Sequence, residues 1–465
     1  MLKNLFLAAL MVGSCLAAPK KNVLFLMADD FNHWLPSIGY YPHAKVPNLE
    51  RLASSGVLFT RAYSPSPVCN PSRNALWSGK RPATTGITTN QGGYIRDIKG
   101  FEKTVTMNQF FISNNYHTLA AGKLYHPARM GSLQSDPSNW SELYKGPTGA
   151  KGGPFFRYKT DESTVIFSAG DIDPETCDDT IMARHIANWI ASRPAGDTPF
   201  FIGCGFFRPH LPWNCPKRFY DLYDPETLDI PAGYKEGDLD DVQSTGNEQG
   251  THARIVKDGK WKEAIRAYLA NLSYADYNVG IVLDALAKSP HKDNSIIVFC
   301  GDHGWHLGEK DRWSKHAVFD QANRTTFIIH DPSAKGNGGK CSWPVTLQDI
   351  YPTLIELCGL PENPAVEGTS LKALLDSPDL ADWPHPALIT YNQTHSIKTR
   401  EWTLIDDGDR SQLYHAAKDP HEWHNLYGKP EYAKITSELR DKLKVLPPVV
   451  KSGQKGNNKR KRDNN

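Results

Sequence analysis

Asp29 and Asp30 are adjacent at the end of "NVLFLMADD", and Asp302 is followed by His303 in "NSIIVFCGDHGW". Adjacent carboxylates repel each other and are costly to hold together without a cation. A lone Asp-Asp pair is more commonly a cap or turn, but a second pair in an equivalent place favours a metal. Three carboxylates with further oxygen donors suit a hard cation such as Ca²⁺ or Mg²⁺, and His303 is the least usual ligand of such a set. A cysteine, Cys69, lies in "SPSPVCNPSRNALWSGKRP" between Pro67 and Pro71. The prolines fix φ and are expected to keep Cys69 out of a regular helix or strand, with "NALWSG" free to run on as a helix. Taken alone, Cys69 fits a disulfide, a metal ligand, a thiol nucleophile that needs a nearby base, or a substrate for covalent modification. A plain structural cysteine is the commonest of these outcomes.

These groups need elements to bring them together, and the apolar runs supply them. "NVLFLMADD" reads as a buried strand ending on Asp29 and Asp30. "YHTLAAGKLYH" is a second, ending near Lys123 and His126; "TPFFIGCGFFRPHLPW" is a third, ending near Arg208 and His210. "NSIIVFCGDHGW" is a fourth, ending on Asp302 and His303. Between the third and fourth, Ile265, Leu269, Leu272, Val279, Val282 and Leu286 recur at helical spacing and predict a helix over about 264–288. Strands alternating with helices indicate an α/β sheet, and ligands of open α/β sheets bind beyond the carboxyl ends of the strands. Four strands that each stop at ionisable residues therefore predict a site. "DIYPTLIELCGL" reads as a helix closing the domain, which spans 19–360, and Pro361 to Pro364 read as a linker. Short strands with turn residues between them predict an antiparallel subdomain over 361–448, followed by an apolar-free basic tail over 449–465, expected to be disordered.

The 465 residues suffice for one large domain and one small one. A net charge of +2, from 53 basic and 51 acidic residues, gives no general pull toward nucleic acid, so no nucleic-acid partner is expected. Lys459 to Arg462 read as part of a solvated tail, with contact to an anionic polymer as the alternative. The N-terminus carries Lys3, an apolar core from Leu5 to Val12 and small residues at Ala17 and Ala18, the pattern of an export signal over 1–18. No run is long enough for a transmembrane segment. A periplasmic or secreted location follows; "VGSC" before Cys15 also resembles a lipobox, which would anchor the chain by a lipid on Cys15. Without Cys15, seven cysteines remain: Cys69, Cys177, Cys204, Cys215, Cys300, Cys341 and Cys358. At least one is then unpaired, and Cys204 and Cys300 lie in apolar strands as buried thiols.

"CNPSRNALWSGKRP" resembles the Cys-X-Pro-Ser-Arg consensus of the formylglycine-dependent sulfatases, a family of the alkaline-phosphatase superfamily. "MADDFNHWLPSIGYYPHAKVPNLERLASSGVLFTRAY", "AAGKLYHP", "FFRPHLPW" and "GDHGWHLGEKDRWSKH" resemble its iduronate-2-sulfatase branch, and "LYHAAKDPHEWHNLYG" resembles the family's C-terminal element. The resemblance implies an alkaline-phosphatase-like α/β fold: a large mixed sheet sandwiched by helices, with a smaller C-terminal antiparallel sheet. It implies that a separate formylglycine-generating enzyme oxidises Cys69 to formylglycine (3-oxoalanine). It implies one Ca²⁺ per chain, held by Asp29, Asp30, the modified Cys69, Asp302 and His303. Lys123, His126, His210 and Lys315 match the groups around the sulfate, and Arg73 matches the group that holds the formylglycine. The hydrated aldehyde would attack sulfur with Asp302 taking its proton, Lys123 and Lys315 would neutralise the sulfate oxygens, and His210 would protonate the leaving sugar oxygen. His126 would take the proton whose loss expels sulfate. The implied substrate is a sulfated sugar or polysaccharide, uronate-containing or of algal type. Ser78, Thr325 and Thr326 depart from the family pattern, and His306 is an added imidazole read as a solvent-facing loop residue. His33 and His316 are candidates for substrate contact or for plain surface roles. Rival readings are a phosphonate or phosphodiester hydrolase of the same superfamily, a catalytically silent glycan-binding homologue, and a hydrolase using the unmodified thiol.

Overall fold

The computed structural model describes residues 20–126, 138–147, 156–159, 164–242 and 249–447. The export signal with Cys15 and the basic tail lie outside the described residues. An eight-stranded sheet organises the chain. Its strands are β1 (Asn22–Asp29), β2 (Val57–Phe59), β3 (His117–Gly122), β4 (Glu142–Leu143), β5 (Phe200–Pro209), β6 (Ser295–Gly301), β7 (Phe327–His330) and β8 (Lys340–Cys341). Their spatial order is β8-β2-β7-β6-β1-β5-β3-β4. The run from β6 to β4 is parallel, while β7 is antiparallel to both of its neighbours, so the sheet is mixed.

Period-two alternation sends the two faces of β1 into separate cores. Leu24, Leu26 and Ala28 face one cluster, and Val23, Phe25 and Met27 face the other. The first is covered by α1 (Pro47–Ser55), α4 (Asp178–Ser192) and α5 (Trp261–Lys288). The second is covered by α2 (Cys69–Ser78), α3 (Met107–Ser113), α6 (Ile350–Leu357) and α7 (Lys372–Asp376). The four strands expected to end at polar residues are β6, β1, β5 and β3, which are adjacent in the sheet, so their carboxyl ends share one edge. The expected helix over 264–288 starts three residues earlier, at Trp261.

Leu374 and Leu375 of α7 pack into the second core, so the large domain's packing continues past residue 360. A four-stranded antiparallel sheet follows: β9 (Ala387–Tyr391), β10 (Thr394–Lys398), β11 (Trp402–Asp406) and β12 (Gln412–His415), paired in sequence order. It packs with α8 (Ala433–Leu443) around Ile397, Leu404, Leu413 and Leu439. All seven described cysteines are unpaired, and Cys204 and Cys300 are fully buried in β5 and β6.

One local expectation is corrected. Cys69 is the first residue of α2, an α-helix, with Pro71 inside its first turn. Proline is excluded from helix interiors because it lacks an N–H, but the first-turn N–H groups have no intrahelical partner to lose.

Candidate active site

Each site residue is placed by a specific piece of packing. Trp77, two turns along α2 from Cys69, packs edge-on against Phe25 of β1 at 5.2 Å. Its indole N–H donates to the Leu124 carbonyl at 2.9 Å, just past β3. An edge-to-face pair of this kind is worth about 0.5–1.5 kcal/mol beyond area burial. At the other end of the helix, the Asn70 N–H donates to Asn90 Oδ1 at 3.0 Å. Cys69 is thereby held over the ends of β1 and β3.

Lys123 depends on two glycines. The Lys123 N–H donates to the Gly205 carbonyl at 2.7 Å. Gly122 has φ 69, and a Cβ there would lie 2.0 Å from the Gly205 carbonyl oxygen; a Cβ on Gly205 would lie 2.2 Å from that of Lys123. Only glycine allows this approach and that φ at once.

β1 ends in an irregularity of register against β5 between Ala28 and Asp29. Asp30 then turns with φ 62, a conformation that Asp tolerates better than most residues. Three bonds hold the turn. Asp30 N–H donates to Asp302 Oδ1 at 2.9 Å, the Tyr268 hydroxyl of α5 donates to the Asp30 carbonyl at 2.7 Å, and Asn32 N–H donates to the Tyr268 oxygen at 3.0 Å. Thr325 and Thr326, which depart from the family pattern, donate their hydroxyls to the Phe31 and Asn32 carbonyls at 2.7 and 2.8 Å. The hydroxyls therefore replace an apolar pair with two anchors for the segment that follows the aspartates.

Arg73 sits at the centre of the charge distribution, fully buried. Its Nη2 donates to Asp29 Oδ1 at 3.0 Å, its Nε to Asp302 Oδ2 at 2.9 Å, and its Nη1 to the Lys123 carbonyl. Lys123 donates to Asp29 Oδ2. Lys315 Nζ lies 2.6 Å from Asp30 Oδ1, 3.0 Å from Cys69 Sγ and 3.4 Å from His303 Nε2. His303 Nε2 is 3.3 Å from Cys69 Sγ, and His303 Nδ1 bonds the Gly304 carbonyl at 2.9 Å. Nδ1 carries the hydrogen in that bond, which leaves Nε2 facing the carboxylates. His210 Nδ1 bonds the Leu211 carbonyl at 2.6 Å, and its Nε2 lies 4.0 Å from carboxylate oxygens of both Asp29 and Asp30. His126 follows the β3 end, with its carbonyl accepting from the Tyr94 hydroxyl at 2.7 Å.

The electrostatics follow from burial and this packing. Burial raises the Asp29 carboxyl, but Lys123, with His210 and Arg73, brings it well below the usual range. Burial pushes Asp302 up to about 7 despite Arg73 and His303. For Cys69, burial opposes ionisation, yet Lys315, Lys123 and His303 hold the thiol well below its ordinary range. His126 acts in the same direction.

A cation fits this donor set. Ligand atoms of Asp29, Cys69, Asp302 and His303 lie within 4.8 Å of one another, as do those of Asp29, Asp30, Cys69 and His210. Asp30 Oδ2 is buried and has no hydrogen-bond partner. A buried carboxylate oxygen left unpaired is costly, and coordination of a hard cation would satisfy it.

All ten candidates named from the sequence, namely Asp29, Asp30, Cys69, Arg73, Lys123, His126, His210, Asp302, His303 and Lys315, lie at this one sheet edge. His316 is exposed beside Lys315, its ring 6.2 Å from that of Tyr391. His33 is fully buried instead, against Tyr40 at 4.6 Å. His306, expected to face solvent, is also fully buried. Its Nδ1 bonds the Ser314 carbonyl at 3.0 Å, which folds the loop after β6 back on itself. Sequence reading missed Tyr268, Asn90 and Tyr94. Tyr268 lies on the apolar stripe of α5 and looks like core, and Asn90 and Tyr94 lie in an irregular segment with no periodicity to mark them.

Comparison with known proteins agrees with this architecture. The sulfatase family model matches residues 21–360, and the model for the C-terminal region of N-sulphoglucosamine sulphohydrolase matches residues 301–447. A sulfatase of Formosa agariphila is 34% identical over 457 residues, covering 92% of this chain and 86% of the relative. The iduronate 2-sulfatase of Mus musculus is 27% identical, covering 90% of this chain and 93% of the relative. The solved phosphonate monoester hydrolase of Agrobacterium radiobacter superposes with a TM-score of 0.73 at 19% identity, covering 92% and 95% of the two chains, and so shares the fold. Among the described residues no helix is long and apolar enough to cross a membrane. The chain belongs to the sulfatase family of the alkaline-phosphatase superfamily, and it is a sulfuric ester hydrolase.

Proposed function

We propose that the chain removes sulfate from a sulfated sugar, within a uronate-containing or algal-type polysaccharide, using Cys69 converted to formylglycine and one Ca²⁺. The observation that carries this reading is the convergence of three carboxylates, two lysines, Arg73 and Cys69 beyond four adjacent strand ends. The sugar substrate is supported by the iduronate 2-sulfatase relative. Asp29, Asp30, Asp302, His303 and the modified residue 69 would hold the cation. With the cation bound, the hydrated formylglycine supplies a hydroxyl nucleophile of increased acidity.

The chain's own residues do the remaining work. Asp302, on the Arg73 guanidinium, takes the proton of the attacking hydroxyl. Lys123 and Lys315 face the sulfate oxygens, where charge builds in the transition state. Arg73 favours the ionised forms of Asp29 and Asp302, bridges the two carboxylates, and orients the modified residue. His210, with Nδ1 fixed by Leu211, presents Nε2 to the leaving sugar oxygen and donates its proton. His126 receives the proton released when sulfate departs. The formylglycine-generating enzyme is the maturation partner, and export to the periplasm or outside the cell is the setting.

The test uses enzyme produced with the modifying enzyme present. The peptide spanning Cys69 should resist thiol alkylation and react with a hydrazide, and Cys69→Ala should be inactive from any host. Turnover should be greater on aryl sulfate than on aryl phosphate, and defined sulfated oligosaccharides should lose sulfate. Full activity with an alkylatable thiol at Cys69 would overturn the formylglycine mechanism and reopen the thiol-hydrolase reading. A preference for aryl phosphate would favour the phosphodiester reading.

A further inference from the structure

The loop that carries Lys315 runs from Lys310 to Asp320, and both of its ends are tied to one residue of the C-terminal region, Glu422. Glu422 Oε2 accepts the Asp320 N–H at 2.9 Å. The Glu422 carbonyl accepts from the Lys310 ammonium, which also donates to Asp238 Oδ1 at 2.9 Å. Glu422 Oε1 accepts from Lys398 of β10, a fully buried ammonium that lies 3.5 Å from Asp320 Oδ1. Glu422 is itself buried, at 3% exposure, and holds a left-handed backbone with φ 59. None of these bonds touches Cys69 or the carboxylates around it. A buried charge network of this kind, in which both carboxylate oxygens of Glu422 are bonded, fixes the geometry of what it joins.

Between those tied ends, the middle of the loop reaches the site. His316 N–H reaches the Pro67 carbonyl at 3.3 Å, two residues before Cys69, and Lys315 Nζ stands 3.0 Å from Cys69 Sγ. We infer that Glu422 is a positioning residue for Lys315, setting the place of its ammonium over the sulfate through the two ends of the loop. This rests on the reading of Lys315 as a holder of sulfate oxygens. A carboxylate is required because two donors, the Asp320 N–H and the Lys398 ammonium, need one acceptor oxygen each. A glutamine would offer one acceptor and would turn its amide hydrogens toward the other donor.

The experiment measures kcat and KM on para-nitrophenyl sulfate with the full-length, Ca²⁺-loaded enzyme. It compares the wild type, Glu422→Gln, Lys315→Ala and the double variant. Glu422→Gln should lower kcat/KM by about 10–100-fold, the effect of a small displacement of an oriented group. The double variant should be no worse than Lys315→Ala alone, since the two changes act through one ammonium. If the two losses multiply, or if Glu422→Gln retains wild-type kcat/KM, the inference is overturned. If Lys315→Ala itself is fully active, the sulfate-holding role fails instead, and the two failures are told apart. Should Glu422→Gln not fold, the paired replacement Lys398→Met with Glu422→Met removes both buried charges together, a change that packed cores often accept. That variant should fold with a comparable loss of kcat/KM, and a folded paired variant with full activity would overturn the inference.

Discussion

Arg73→Met removes the cation between Asp29 and Asp302 while keeping most of the side-chain volume. Both carboxylates and the guanidinium are fully buried, with bonds of 3.0 and 2.9 Å. Breaking a buried pair by deleting one partner costs about 3–5 kcal/mol. The lost bond to the Lys123 carbonyl adds about 1 kcal/mol. Protonation of Asp302 limits the cost, because burial already pushes that carboxyl up to about 7. A loss of about 4 kcal/mol in metal-free protein, at about 2–4 °C for each kcal/mol in a large domain, lowers Tm by about 10 °C or more. A bound divalent cation neutralises the same carboxylates, so excess Ca²⁺ should raise the variant's Tm more than the wild type's. Differential scanning calorimetry at pH 8, in chelator and then in Ca²⁺, reads both effects. Equal Tm values in chelator would refute the view that Arg73 compensates the two carboxylates. Equal Ca²⁺ shifts would refute a cation on Asp29 and Asp302. Activity should be lost under both conditions.

Two further outcomes follow from the geometry. His210→Ala should slow sugar sulfates, whose leaving alkoxide is basic, by about 10²–10⁴-fold, and activated aryl sulfates much less; equal losses would make His210 a binding group only. Asp179 is buried behind the β5 end, accepting N–H groups of Phe207 and Arg208, and burial raises its carboxyl to about 6. The stability linked to it is fully present below about pH 4 and is lost as pH rises through about 6, by about 3 kcal/mol. Asp179→Asn should flatten denaturant stability over that interval, and an unchanged slope would count against it.

The sheet and the strand-end residues Asp29, Asp30, Lys123, His126, His210, Asp302 and His303 were readable because β1, β3, β5 and β6 are continuous apolar runs that stop at ionisable residues. Motif carried the rest of the site: spacing alone left Cys69 with four chemistries. The first-turn position of Pro71 was not readable, since proline excludes a helix interior but not a helix start. His306 and His33 are buried because the loops that carry them fold back locally, setting the Ser314 carbonyl and the Tyr40 ring against the imidazoles, a fold-back that no sequence periodicity marks. Glu422 falls within the quoted C-terminal element, but its tie to a loop about a hundred residues earlier was not readable from that element.

The strand order has a kinetic meaning. The strand ends that line the site come from segments at 22–29, 117–122, 200–209 and 295–301, brought side by side in the sheet. No contiguous piece shorter than Asp29 to His303 contains all the metal-binding candidates. Asp30 meets Asp302 across 272 residues of chain, the kind of non-local closure that folds slowly. The cation site therefore cannot nucleate folding, because its ligands converge only when β6 has docked beside β1. In a refolding experiment, tight metal binding should arise with the last phase, and it serves as a reporter of the completed sheet.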